Sequence, residues 1–245
     1  MPLRLAFDLD GVLADLDLAF RQVAAELFGE RPAAAPVAQP VSFDPAGFGR
    51  DDQARDRGAL NQAAASELPA PSLGLSPRQW EQVWRRIQDT DNFWEGLREI
   101  ESGSVGTLAA VAKKLRWEVI FLTQRPSTAG ETAQVQSQRW LETHGFALPS
   151  VFVVAGSRAK IASALQLDLV VDDHHEHCLD IVTESKARAL LVWRGGPSIV
   201  PQAARRLGIG VVDSVTSCLD ILQEVDSIVS SPPTVLERLK RKLRL

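Results

Sequence analysis

Between Leu3 and Phe7 the chain is mostly apolar, and the run stops at two carboxylates, Asp8 and Asp10, followed by Gly11. Such a run predicts a strand buried on both faces, with charge delivered to the loop at its carboxyl end. Leu16, Ala19, Phe20, Val23, Ala24 and Leu27 then recur at helical spacing, and Gly29 stands where a C-terminal cap belongs. Residues 30–75 lose this periodicity. They are rich in Ala, Pro and Gly and predict a loop-dominated stretch with a short helix near Asp51 to Ala65. Ser76 as N-cap and Pro77 at the first helical position open another helix, with Trp80, Val83, Trp84 and Ile87 on one face.

After Gly103 the pattern becomes regular. "SVGTLAAVAKKL" predicts a helix and "WEVIFLT" a strand. "TAGETAQVQSQRWLETHG" predicts a helix with a capping-box pair, Thr128 and Glu131, and a terminal Gly145. "SVFVVAG" reads as a strand, "RAKIASALQ" as a helix and "LDLVVDD" as a strand. A helix from about His174 to Ser185, the strand "ALLVW", the helix "PQAARRLG", the strand "IGVVD" and two more helices complete the chain. Strands alternating with helices imply an α/β fold, a parallel sheet covered by helices on both faces.

Composition adds limits. At 245 residues the chain is long enough for one large domain, or one domain carrying an insertion. Lys and Arg number 27 against 31 Asp and Glu, so no global basic field draws it onto a nucleic acid polymer or a membrane. The first residues lack a secretory core, and no window approaches the apolar length of a membrane span, which sets a cytoplasmic expectation. Cys178 and Cys218 have no CxxC spacing and read as packed thiols.

In such sheets ligands lie outside the carboxyl ends of the strands. Four places there carry chemistry: Asp8 and Asp10, then Thr123, Gln124 and Arg125, then Lys160 opening a helix, and finally Asp172 and Asp173. Three carboxylates from adjacent strands repel unless a cation neutralises them, and an all-oxygen set favours magnesium. A lysine and a hydroxyl beside that ion suit a phosphate. One carboxylate can attack phosphorus while a second, two residues on, exchanges the protons.

"DLDGVLAD", Thr123 after "VIFL", Lys160, and "VVDD" resemble, in order and spacing, the four motifs of the haloacid dehalogenase-like (HAD) hydrolase superfamily. The resemblance implies a Rossmann-like core at 1–14 and 104–245 and a mainly helical cap at 15–103. It makes Asp8 the nucleophile and Asp10 the acid/base, with the Asp10 carbonyl also reaching Mg2+. Thr123, Gln124 and Lys160 become phosphate-binding, and Asp172 a magnesium ligand supported by Asp173. The second aspartate of the first motif points to the phosphatase and phosphomutase branches. "FWEGL" and "VDDHHEHCLD" further resemble the 5'(3')-deoxyribonucleotidase branch and its bacterial relatives. The implied activity is magnesium-dependent hydrolysis of a small phosphate monoester, with a nucleoside monophosphate as one candidate. Another phosphorylated metabolite, a phosphomutase reaction or a non-catalytic binding role are the alternatives, and a homo-oligomer stays open.

Several residues admit two readings. Arg125 can reach a substrate phosphate or sugar, or form a surface or cap-facing ion pair. Asp15 and Asp17 can face the pocket mouth or complement a helix N-terminus. Trp80, Trp84, Phe93 and Trp94 can stack on a base, but helical spacing favours packing within the cap. His174 and His177 share a helical face and fit a rim to the pocket better than a transition-metal site; His175 points elsewhere. Leu236, Leu239 and Leu243 align for docking of a basic C-terminal helix onto the core.

Overall fold

The structure is a computed structural model, and it describes residues 2–29, 73–154, 156–195, 200, 204 and 206–230. The predicted helix near Asp51 to Ala65, most of the Ala/Pro-rich stretch, half of "PQAARRLG" and the C-terminal basic helix lie outside these residues.

The elements are β1 (Arg4–Asp8), α1 (Leu16–Phe28), α2 (Pro77–Gln88), a short 3-10 turn (Phe93–Gly96), α3 (Ser104–Leu115), β2 (Glu118–Thr123), α4 (Ala133–Thr143), β3 (Ser150–Val153), α5 (Arg158–Ala164), β4 (Leu169–Asp172), α6 (His175–Glu184), β5 (Arg188–Val192), β6 (Gly210–Val212) and α7 (Val215–Ser230). All strand pairs are parallel, in the order β3-β2-β1-β4-β5-β6. The chain builds outward from β1 through β2 to β3, then crosses back to lay β4 on the other side of β1. At such a reversal, here the carboxyl ends of β1 and β4, open α/β sheets place their ligands.

Side-chain alternation divides the core between the two faces. Leu5 and Phe7 of β1, Phe121, Val171, Leu190 and Val192 join α3, α4 and α7 on one side. Ala6, Leu122, Val170, Ala189 and Leu191 face α5 and α6 on the other. Cys178 and Cys218 fall in these opposite clusters, both buried and both free. Burial pushes the Cys218 thiol up to about 12, with Glu101 adding to the effect. No helix among the described residues is long and apolar enough to cross a membrane.

One predicted helix start is corrected. The capping box of Thr128 and Glu131 does not form: Thr132 caps α4, its hydroxyl accepting from the Val135 N–H. Upstream, the Asn92 side chain accepts the Glu131 N–H at 2.9 Å and Gly130 turns with φ +86°, so this stretch is tied to the 3-10 turn instead of winding into the helix.

α1 and α2 pack on each other through Phe20, Trp80 and Trp84, with ring centroids 4.4 Å apart for Phe20 and Trp80 and 5.4 Å for Phe20 and Trp84. Ser76 and Gln79 form the reciprocal capping box that starts α2. Asp15 caps α1 by accepting the Leu18 N–H, and Asp17 pairs with Arg21 one turn on. Both acids are thus satisfied at the helix N-terminus. Trp94 belongs to the sheet's own core. It is fully buried, and its indole N–H donates to the Pro126 carbonyl at 3.0 Å.

Glu101 joins distant parts of the chain. Its carboxylate accepts from the Val215 and Thr216 N–H groups at the start of α7 and from Arg194. Partial burial works against its charge, but these donors outweigh it and hold Glu101 below the usual carboxylate range. Stability from such a group is present above its unfolded value and is lost as pH falls through the lower folded one. Glu101→Gln should therefore cost about 1 kcal/mol at neutral pH, kept small by solvent contact. Melting curves of the two proteins should converge as the pH is taken below about 4. A gap that persists undiminished in acid means that the charge is not what matters.

Candidate active site

Asp8 is the last residue of β1 and Asp172 the last of β4, with Phe7 in register with Val171. Adjacent parallel strands therefore present the two carboxylates side by side. Asp173 follows directly, and ligand oxygens of Asp8, Asp172 and Asp173 lie within 4.8 Å of one another. Of the four aspartates expected at a metal site, the structure brings Asp8, Asp172 and Asp173 together, and the Asp10 side chain is not in this group.

Close approach at this point requires glycine. Gly11 has φ +78°, and a Cβ there would sit 1.9 Å from Asp173 Oδ2. The loop after β1 can lie against Asp173 only because residue 11 has no side chain.

The cation that the fold brings to the carboxylates is Arg158. It is buried at the first turn of α5; Nη2 donates to Asp8 Oδ1 at 3.2 Å and Nη1 donates to Asp172 Oδ2. Lys160, the residue expected in this role, is exposed. Two residues turn a helix by roughly 200°, so Arg158 and Lys160 cannot face the same site. Arg158, Ala159 and Ala162 form the buried face. The small residues beside Arg158 in "RAKIASA" were the legible sign of that face.

Electrostatics follow from burial and proximity. Burial pushes Asp8 up to about 7; Arg158 opposes this, while Asp172 and Asp10 add repulsion. Asp173 is raised well above the usual range by burial and by the charges of Asp8 and Asp172. Asp172 moves the other way. Burial alone would raise it, but Arg158, His177 and the His174 N–H hold it well below the usual range. His174 is pushed down to about 4 by burial against the pull of Asp172.

Asp172 Oδ1 accepts the His174 N–H at 2.8 Å and lies 3.2 Å from His177 Nδ1. The His174 and His177 rings stack at 4.9 Å, as their shared helical face implies. Asp173 Oδ1 is buried with no hydrogen-bond partner. One guanidinium does not balance three carboxylates, and an orphaned carboxylate oxygen within an all-oxygen donor set fits a hard divalent cation. The residues that would hold magnesium are Asp8, Asp172 and Asp173.

Asp10 stands apart from that trio. Arg125 Nε donates to its two oxygens at 3.1 and 2.9 Å, and Nη2 donates to Oδ1 at 2.8 Å. The Thr123 hydroxyl donates to Asp10 Oδ2 at 3.2 Å. Arg125 Nη1 donates to Ser137 Oγ at 2.9 Å, so all of its nitrogens are engaged. Arg125 is thus not a surface residue but a buried ion pair behind Asp10, with its guanidinium engaged by Asp10 and Ser137. Thr123 and Gln124 are buried at the end of β2.

Sequence reasoning missed a second arginine. Arg194, just beyond β5, donates to the carbonyls of Gly11 (2.5 Å) and Val12 (3.1 Å) and to Glu101 (2.9 Å). Inspection of every strand end, including "ALLVW", would have found it.

A parallel sheet with its reversal at β1 and β4, and acids at those two strand ends, is a Rossmann-type α/β arrangement that matches the HAD-like fold. No protein-family model and no curated protein matches the sequence. Among solved structures, a HAD family hydrolase from Deinococcus radiodurans R1, with bound phosphate and sodium, shares 20% identity at TM-score 0.52, covering 91% of this chain and 96% of that one. A hydrolase from Pseudomonas syringae aligns at 16% identity and TM-score 0.47, covering 91% and 99%. A haloacid dehalogenase-like family protein from Streptococcus pneumoniae aligns at 13% identity and TM-score 0.45, covering 90% and 98%. The first of these likenesses establishes the shared fold.

The placement of the two cations yields a direct test. Arg158→Met, which leaves buried carboxylates unpaired, should cost about 3 kcal/mol. Lys160→Met should stay within about 0.5 kcal/mol of wild type. Magnesium should return part of the loss in Arg158→Met, because a bound cation stabilises the folded state. Equal melting shifts in the two variants would contradict the assignment.

Proposed function

We propose that this protein is a magnesium-dependent phosphatase that hydrolyses a small phosphate monoester through an aspartyl-phosphate on Asp8. The observation that carries this reading is the convergence of Asp8, Asp172 and Asp173 within 4.8 Å, with Arg158 at hydrogen-bonding distance from Asp8. In this reading Asp8 attacks phosphorus, Asp10 handles the leaving-group and water protons, and Arg158 balances charge on the transferring group. A bound magnesium ion would supply further neutralisation of the phosphoryl oxygens. Thr123 and Gln124, one strand over at the end of β2, are the proposed phosphate contacts. Lys160, exposed on α5, is replaced in that role by Arg158.

The segment from residue 15 to about 103 is proposed as the cap, of which α1 and α2 are the described helices. An insertion directly after the first motif covers the pocket and restricts it to small esters. Nucleoside monophosphates stay among the candidates, but stacking on Trp84 or Trp94 finds no support, because both side chains are packed away from solvent.

A screen of nucleoside monophosphates, sugar phosphates and small organic phosphates tests the proposal. Wild type with magnesium should turn over at least one ester. Asp8→Asn should lose at least about 1,000-fold in kcat, and chelation should abolish activity reversibly. Undiminished turnover by Asp8→Asn would rule out the aspartyl-phosphate.

A further inference from the structure

The ion pair behind Asp10 has no role in the chemistry just described, yet it is more elaborate than burial alone demands. Arg125 is among the largest fully buried side chains, and its guanidinium carbon lies 4.9 Å from the centroid of Trp94 and 5.9 Å from that of Trp140. Ser137 takes the remaining nitrogen, and its own hydroxyl donates to the Ala133 carbonyl at 2.7 Å, which fixes it on α4. Both tryptophans are held in turn: the Trp94 indole donates to the Pro126 carbonyl at 3.0 Å, and the Trp140 indole to the Leu97 carbonyl at 2.7 Å. The Gln136 side chain accepts the Trp94 backbone N–H at 3.0 Å. Apart from Asp10 itself, each residue that touches the guanidinium is anchored by a hydrogen bond of its own.

Desolvating a charged pair is costly, and similar apolar residues often serve stability as well or better. What a rigid fork adds is geometry: bidentate contact from a planar guanidinium leaves a carboxylate few rotamers. We infer that Arg125 is a positioning residue that fixes the Asp10 carboxylate at the reaction centre, with Trp94, Trp140 and Ser137 as the shelf that fixes Arg125. The inference rests on the phosphatase reading above, in which Asp10 moves the protons. It assigns Arg125 no contact with substrate.

Two features separate this role from support of the fold. Positioning acts on the chemical step, so kcat falls while KM holds. It also acts through Asp10, so its loss has no further effect once Asp10 cannot transfer protons. The experiment is a double-mutant cycle on whichever ester wild type hydrolyses best, with Arg125→Met, Asp10→Asn and the combined variant, and with thermal melts of each.

Arg125→Met should lower kcat roughly 30-fold with KM unchanged, a part of what a proton-transferring group contributes. In the Asp10→Asn background the same substitution should cost less than about 3-fold. Arg125→Lys should fall close to Arg125→Met, since one ammonium cannot span both carboxylate oxygens. If Arg125→Met does not fold, Arg125→Lys carries the cycle alone. Equal losses in both backgrounds, or a loss expressed only in KM, would overturn the inference and leave the phosphatase reading intact. A wild type inactive on every ester overturns both.

Discussion

Mutual repulsion among Asp8, Asp172 and Asp173 is the constraint around which the rest of the structure is arranged. Parallel strands in register deliver two of these carboxylates to neighbouring strand ends, and the chain cannot separate them without losing the register. The fold answers with Arg158 from the first turn of α5, with the His174 N–H and with His177. Asp172 ends strongly ionised while Asp8 and Asp173 are pushed upward. Such unequal neighbours accompany sites that bind a cation or transfer a charged group, and buried ion-pair networks produce them as well.

Much of this was legible because strand ends are where an α/β sheet places its chemistry. The apolar runs before Asp8, Thr123 and Asp172 located the trio and its neighbours, and the alternation after Gly103 gave the parallel sheet. The misplaced cation shows the limit. Lys160 fitted the spacing of the resembled motifs, whereas helix geometry selects the residue on the buried face, and Arg158 shares that face with Ala159 and Ala162. Arg125 was ambiguous for another reason. Whether an arginine points outward or inward depends on what lies behind it, and its partners Trp94, Ser137 and Trp140 come from segments up to 31 residues distant upstream and 15 downstream in sequence. The false start of α4 has the same origin, since Asn92 captures the Glu131 N–H from far along the chain.

The loop after β1 shows how these parts act together. Gly11 lets it close onto Asp173, and Arg194 grips the carbonyls of Gly11 and Val12. On the other side, the Asp15 N–H donates to the Arg98 carbonyl at 2.8 Å and the Ile100 N–H to the Leu13 carbonyl at 2.9 Å, with Ala14 and Glu99 bridged between them. The segment that leaves the sheet after Leu13 therefore returns beside its own point of departure. A short antiparallel ladder closes its base, and that ladder is continuous with the loop carrying Asp10. Displacement of α1 and α2 would have to pivot outside the ladder, because motion within it would break its backbone hydrogen bonds. Asp10 is thus braced from both directions, by Arg125 on its carboxylate and by the ladder on its backbone.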